Sequence, residues 1–302
     1  MSTELKSKII QFEGNITQDD INHLLSVFPA GCVFFDVETT GLSPLMDRIV
    51  ELAAIKITPA GVQIMSSLAN PQMPIPENVI SIHGISDDDV KDAPLSEDVA
   101  KEFFTFIEKL PILAHNARFD VGFVLFGAFE YFKSIKNLHC NQIYCTCQYS
   151  RKAFPQFNSH RLAYLTQELN IDLKSHHRAL DDTLAILKIM VEGLKKLPEV
   201  VHRYSIADGI LGKLSDYHPS NPIPIPKHLL GLQEKVRLQE IVEIKYSGGS
   251  HKGIFRPIRP ISFLPTPRGN TLYAQCLLSD LYKSFSLKKI VGWREKEQNL
   301  ET

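Results

Sequence analysis

The 302 residues predict an α/β domain followed by a smaller all-β domain. Three observations carry that expectation. Apolar strand-like runs alternate with amphipathic helical runs as far as about residue 197. Four prolines then fall within ten residues, HPSNPIPIPK at 218–227, a density that denies both helix and sheet their donors. Beyond that stretch the apolar segments are short and separated by Gly and Pro turns. The resulting division is an N-terminal helical extension (1–29), an α/β domain (30–197), a Pro-rich linker (198–228) and a small β domain (229–302).

Each element has a local reason. Residues 17–28 read as a short helix with Thr17 as N-cap and an acidic first turn. The run GCVFFDVE that follows is apolar on both faces apart from Asp36 and Glu38, as in a strand covered by helices on both sides. Arg48–Ile57 and Val62–Leu68 read as further strands, and Pro71, Pro74 and Pro76 mark a loop. Ser96–Leu110 reads as a capped amphipathic helix closed by Pro111. Ile112–Ala114 is a short buried strand, after which Asn116 caps a helix starting near Arg118. Apolar positions 180, 184, 187, 191 and 194 repeat at helical spacing. After the linker come a short helix near 229–240 and strands at 241–246, 254–263, 271–277 and 282–287.

Composition narrows the class. Hydrophobic residues make up 44% and charged residues 22%, which is ordinary for a globular chain. No apolar run approaches the roughly 18 residues needed to span a bilayer, and the start MSTELKSKII fits no secretory signal, so a cytoplasmic location is expected. The cysteines, Cys32, Cys140, Cys145, Cys147 and Cys276, are odd in number and lack metal-site spacing, so reduced thiols are expected. Charge is uneven: residues 201–302 hold 15 Lys+Arg against 9 Asp+Glu, and residues 1–200 hold 18 against 25. That asymmetry suggests a carboxylate-rich front and a cationic back.

The chemistry-bearing residues lie in the front. Asp36 and Glu38 are two apart on a strand, so both carboxylates project from one face. Like charges in an apolar strand cost several kcal/mol unless a cation or partner compensates. Asp120 stands on the first turn of a helix that follows a buried strand. In SHHRALDD two registers compete, His176 with Asp181 or His177 with Asp182. At about 100° per residue, Asp181 shares a face with Lys188, Glu192 and Lys195, whereas Asp182 sits beside Ala179, Ile186 and Ile189 and faces the protein. Four inward acids and one loop histidine suit a bimetallic phosphodiester site, with the histidine as general base for the attacking water.

These residues resemble a known family. Phe35-Asp-Val-Glu-Thr-Thr-Gly-Leu42, His83-Gly-Ile85, Ala114-His-Asn-Ala-Arg-Phe-Asp120 and His177-Arg-Ala-Leu-Asp-Asp182 are similar, in order, to the motifs of DEDDh 3′→5′ exonucleases. That family includes the proofreading epsilon subunit of bacterial DNA polymerase III. The resemblance implies a ribonuclease H-like exonuclease fold with a mixed sheet of about five strands. It implies Asp36, Glu38, Asp120 and Asp182 as ligands of two divalent cations, Mg²⁺ or Mn²⁺, and His177 as the base. Thr39, Gly41, Leu42, His83 and Asn116 would cradle the 3′-terminal nucleotide. One departure stands out: Cys145-Thr146 occupies the place of a frequent Asp-Thr pair.

Residues 229–291 more faintly resemble a WYL-type domain, a small SH3-like barrel. The signature Trp-Tyr-Leu stands here as Asn270-Thr271-Leu272, and Lys283 and Lys289 replace usual arginines. Only a cationic binding module is carried over from that likeness. The expected function is removal of nucleotides from a single-stranded 3′ end, DNA in preference to RNA, with replication or repair proteins as partners. An exoribonuclease of the same fold, and a non-catalytic nucleic-acid-binding regulator sensing a nucleotide-like ligand, are the alternatives.

Overall fold

The computed structural model describes residues 16–134, 141–171, 178–198, 212–218, 220–249, 251–267 and 269–296. These separate into two compact units that divide between Ser215 and Asp216.

The first unit is built on a five-stranded mixed sheet. Strands β1 (Cys32–Thr39), β2 (Ile49–Thr58), β3 (Gly61–Leu68), β4 (Ile112–Ala114) and β5 (Ile143–Cys145) lie in the order β3-β2-β1-β4-β5. β3, β2 and β1 run antiparallel, while β4 and β5 run parallel to β1. β1 is therefore central, which explains why it is apolar on both faces. Every residue of it is buried except Asp36 and Glu38, which are half-buried. A bulge interrupts the β1–β2 ladder at this point: Glu38 pairs with Glu51 and Thr39 with Ile49, leaving Val50 as the extra residue.

Helices cover the sheet: α1 (Gln18–Val27), α2 (Glu77–His83), α3 (Asp87–Val90), α4 (Ser96–Ile107), α5 (Arg118–Gly127), α6 (Phe129–Ser134), α7 (Thr146–Ala153), α8 (Leu162–Glu168) and α9 (Ala179–Lys196). On one face Leu184, Leu187 and Val191 of α9 join Phe34, Ile55 and Leu113 in a single apolar cluster. On the other, Phe103 of α4 sets its ring 4.7 Å from that of Phe35.

Thr17 and Asp20 form a reciprocal capping box at α1, and Lys188 Nζ of α9 lies 2.6 Å from Asp20 Oδ2. Burial alone would raise the Asp20 carboxyl, but Lys188 and the Thr17 hydrogen bonds bring it below its ordinary value. Asp20→Ala should cost about 2–3 kcal/mol in urea unfolding, by loss of the cap and of the buried partner of Lys188. A lowered carboxyl stabilises above the unfolded carboxylate range and loses that effect as pH falls through it. The gap between mutant and wild type should therefore narrow in acid.

Several elements differ from the sequence expectation. α4 ends at Ile107 rather than Leu110, and Ser96 is no side-chain cap. Its hydroxyl instead donates to Ile49 O (2.6 Å) and Asn70 O (3.1 Å), tying the helix to neighbouring strand ends. Asn116 does not cap α5: the N-cap is Ala117 without a side-chain bond, and Asn116 adopts φ 61° and points outward. α2 and α3 follow the prolines that read as loop, and β5 has three residues, too few to show alternation. Within the stretch expected to be linker, Ile143 N–H donates to Gly212 O and Leu214 N–H to Asn141 O, so that segment lines the β5 edge. Cys32, Cys145, Cys147 and Cys276 carry free thiols.

The second unit is a five-stranded antiparallel sheet of β6 (Val242–Tyr246), β7 (Phe255–Leu264), β8 (Thr271–Cys276), β9 (Leu281–Ser286) and β10 (Ile290–Glu295), ordered β10-β6-β7-β8-β9. β10 is absent from the sequence expectation because Gly292 and the charges of Arg294 and Glu295 hide its alternation. Among the described residues β9 and β10 do not pair, so the sheet is open and not a closed barrel. A short helix, Leu232–Leu238, packs Leu232 and Val236 against Ile244, Ile258 and Leu272. Among the described residues no helix is long and apolar enough to cross a membrane.

Candidate active site

Three of the four expected acids meet. One carboxylate oxygen each from Asp36, Glu38 and Asp182 lies within 4.8 Å of the others. The period of two puts Asp36 and Glu38 on one face of β1, and Asp182 comes from the first turn of α9. Between the two competing registers the structure thus brings Asp182, not Asp181, to the cluster. Asp120, buried in the first turn of α5, is outside this trio but close enough for its charge to act on both Asp36 and Glu38.

The electrostatics of the cluster are those of crowded acids. Burial, then Asp120, Asp182, Glu38 and Glu51, raise the Asp36 carboxyl well above its ordinary range. Burial, then Asp182, Glu51 and Asp120, push Glu38 up to about 8, against a weaker opposing pull from Arg178. Such carboxyls are held ready for a positive partner.

Glu51 does not stand out in the sequence, yet it is part of this arrangement. It lies across the ladder from Glu38 and is buried. Its carboxylate accepts hydrogen bonds from Arg178 Nη2 (2.7 Å), Arg178 Nε (3.1 and 3.2 Å) and Ala179 N–H (3.0 Å). β2 therefore grips the N-terminus of α9 one turn ahead of Asp182, whose own N–H bonds Arg178 O. The available signal was a lone acid in the otherwise apolar run IVELAAI.

The remaining expected residues fall around β1 and its neighbours. Thr39 is buried and its hydroxyl donates to Gly41 O at 2.7 Å. A Cβ at Gly41 would stand 2.5 Å from the Asp47 carboxylate, so a larger residue would displace that side chain from its hydrogen bond with Ser43 N–H. Leu42 is 78% exposed, an apolar side chain presented outward beyond the end of β1 at Thr39. His83 is buried, with Nδ1 accepting from Ile85 N–H at 3.0 Å. Asn116 is exposed at the carboxyl end of β4. His177 lies outside the described residues.

The trio fits a divalent cation. Hard oxygen donors, three on one small site, match the coordination such ions take, and the raised carboxyls of Asp36 and Glu38 show a cluster short of positive charge. Stability should report this. Glu38 has an ordinary value of 4.5 and a folded value of about 8, so the folded state keeps a proton that the unfolded state releases. The resulting stabilisation is complete below the unfolded value and is lost as pH rises through the folded one. In EDTA the thermal midpoint should fall by roughly 5 °C between pH 5 and pH 8.5, and Mn²⁺ should restore more of it at pH 8.5 than at pH 5. A midpoint flat in pH and indifferent to Mn²⁺ would contradict this account.

The chain is 38% identical over 175 residues to a DNA polymerase III PolC-type protein of Bacillus cereus, covering 57% of this chain and 12% of that protein. To the Bacillus subtilis protein of the same name it is 34% identical over 221 residues, covering 71% and 15%. The chain thus spans about an eighth to a seventh of the length of these curated relatives. Among solved structures, E. coli exonuclease I in complex with a dA16 oligonucleotide aligns with a TM-score of 0.49 at 19% identity, covering 82% of this chain and 55% of that one. A sequence model described as Exonuclease matches residues 33–190, a span that contains β1 from its second residue, the acidic cluster and the first two-thirds of α9. With more than half its length inside that match and its acids gathered on the mixed α/β sheet, the chain belongs to the exonuclease family.

Proposed function

We propose that the chain is a 3′→5′ exonuclease of the DEDDh type, releasing nucleotides from the 3′ end of single-stranded DNA. The observation that carries the reading is the gathering of Asp36, Glu38 and Asp182, with Asp120 beside them. Asp36, Glu38, Asp120 and Asp182 would hold two divalent cations, Mg²⁺ or Mn²⁺, which when bound lower the pKa of water and offset charge on the phosphate. His177 accepts the proton of the attacking water, its ordinary value near 6.5 suiting it to that step at neutral pH. Its neighbour in sequence, Arg178, is bonded to Glu51. Thr39, Gly41, Leu42, His83 and Asn116 seat the terminal nucleotide, with the exposed Leu42 offering an apolar surface to a base.

DNA is favoured over RNA because the curated relatives are DNA polymerases, and replication proteins follow as the expected partners. The second unit serves as a cationic nucleic-acid-binding module, WYL-like in sequence, and a cytoplasmic location fits these roles. Incubating the full chain with 5′-labelled DNA and RNA 20-mers, with Mg²⁺, Mn²⁺ or EDTA, tests the whole reading. A descending ladder of 5′-labelled DNA products that needs the metal is expected. Endonucleolytic fragments, or cleavage undiminished in EDTA, would refute it.

A further inference from the structure

A cavity of about 620 Å³ opens at the carboxyl ends of β4 and β5. Asn116, Arg151, Asn158, Ser159 and Arg161 line it together with His115, and among the described residues no carboxylate does. Arg151 comes from the last turn of α7, and Arg161 precedes α8. Asn158 and Ser159 sit on the loop between those helices. Both arginines are exposed residues, and Arg151 also hydrogen-bonds Cys147 of the same lining.

The wall is built, not loose. His115 Nε2–H donates to His160 O at 2.8 Å, and Nδ1 stands 3.1 Å from the Thr146 hydroxyl, joining β4, α7 and the loop before α8. Burial lowers this imidazole to about 4, so it acts as a neutral pin. His160 Nε2 in turn donates to Phe154 O at 3.0 Å, which ties the loop back to the end of α7.

Position relates the cavity to the acids. The parallel register pairs Val33 with Ile112 and Phe34 with Leu113. Carried forward two residues, it brings His115 level with Asp36. Asn116, one residue on, belongs both to the cavity lining and to the residues assigned to the terminal nucleotide. A strand seated there continues into a basic hollow, whose paired guanidinium, amide and hydroxyl donors suit phosphodiester oxygens.

We propose that this cavity is a phosphate subsite that holds the backbone of a single strand 5′ to the terminal nucleotide, with Arg151 and Arg161 as its phosphate ligands. The assignment rests on the exonuclease reading for the direction of the strand. Its prediction is length dependence: a ligand too short to reach the cavity gains nothing from the two arginines.

The test uses the full chain in EDTA, so that no turnover is required. Binding of 5′-fluorescein dT10 is followed by anisotropy, with unlabelled dT2 as competitor. Arg151→Gln/Arg161→Gln should raise the Kd for dT10 about tenfold and make its salt slope shallower by roughly 1.4, about 0.7 for each phosphate no longer neutralised. The Kd for dT2 should rise less than threefold. Asn158→Asp, which sets a carboxylate on the lining without touching either arginine, should also weaken dT10 more than dT2. A dT10 affinity within twofold of wild type in both variants overturns the proposal. So does an equal loss for dT2 and dT10, which would put the terminal nucleotide itself in the cavity. If the wild type released no nucleotides with Mg²⁺, the exonuclease reading would fall, while the cavity would still be judged by dT10 in EDTA.

Discussion

Asp36→Asn is expected to lower nucleotide release by on the order of 10³-fold or more, a loss of at least about 4 kcal/mol of transition-state stabilisation. Asparagine keeps the volume and the hydrogen-bonding reach of the side chain but removes the charge most crowded by its neighbours. Without that charge the cluster formed with Glu38 and Asp182 has one fewer anionic oxygen for a cation. The same change relieves repulsion in the metal-free protein, so Asp36→Asn should melt higher than wild type in EDTA at pH 8. Opposite movements of activity and stability are the mark of a strained functional cluster. Binding of dT10 in EDTA should persist, because the side chain is assigned to cations and not to the strand. Asp181→Asn supplies the contrast: Asp181 neighbours Asp182 in sequence but is not one of the clustered acids, and its variant should stay within about threefold of wild type. Activity of Asp36→Asn within tenfold of wild type would remove the cluster from the mechanism.

How much of this is legible in the sequence depends on whether a residue announces itself through periodicity or through pairing. β1 is readable because a central strand must be apolar on both faces, and two acids in such a run stand out against it. Asp182 is separable from Asp181 because an 18-residue helix fixes directions around its axis. Features that depend on partners distant in sequence are not readable. Ser96 stands where a helix cap belongs, yet its hydroxyl is drawn to carbonyls of Ile49 and Asn70, interactions that exist only once the sheet has formed. Asn116 looks like a cap by residue type, but its backbone takes the left-handed region that asparagine tolerates, and its side chain is turned out. Strand β10 lies hidden because an edge strand with exposed charges has little apolar alternation to show. Glu51 is the instructive omission. A single acid among valine, leucine and alanine carries no period, and its partners Arg178 and Ala179 are 127 and 128 residues away.

That omitted residue supports the second large effect. Glu51→Ala should reduce turnover by about 10²-fold per folded molecule, because it releases the N-terminus of α9 from β2. The effect passes through three links. Glu51 accepts from both the Arg178 guanidinium and the buried Ala179 N–H, so alanine takes the carboxylate away from that amide. Asp182 follows one helical turn later and inherits whatever shift the terminus makes. Arg178 is also the residue that directly follows the proposed base His177 in the sequence. Stability should fall by about 2–3 kcal/mol, less than for a wholly buried pair because the Arg178 side chain is 48% exposed and can hydrate. Glu51→Gln separates geometry from charge: its amide oxygen still accepts from Ala179 while the salt bridge is lost, so it should recover at least tenfold of the activity lost in Glu51→Ala. A positioning role further requires that the Mg²⁺ concentration for half-maximal activity rise in Glu51→Ala while the metal-free Kd for dT10 holds within twofold. If both variants lost stability yet kept wild-type turnover per folded molecule, Glu51 would be a structural clamp alone, and the placement of Asp182 would have to come from the packing of α9 on β1.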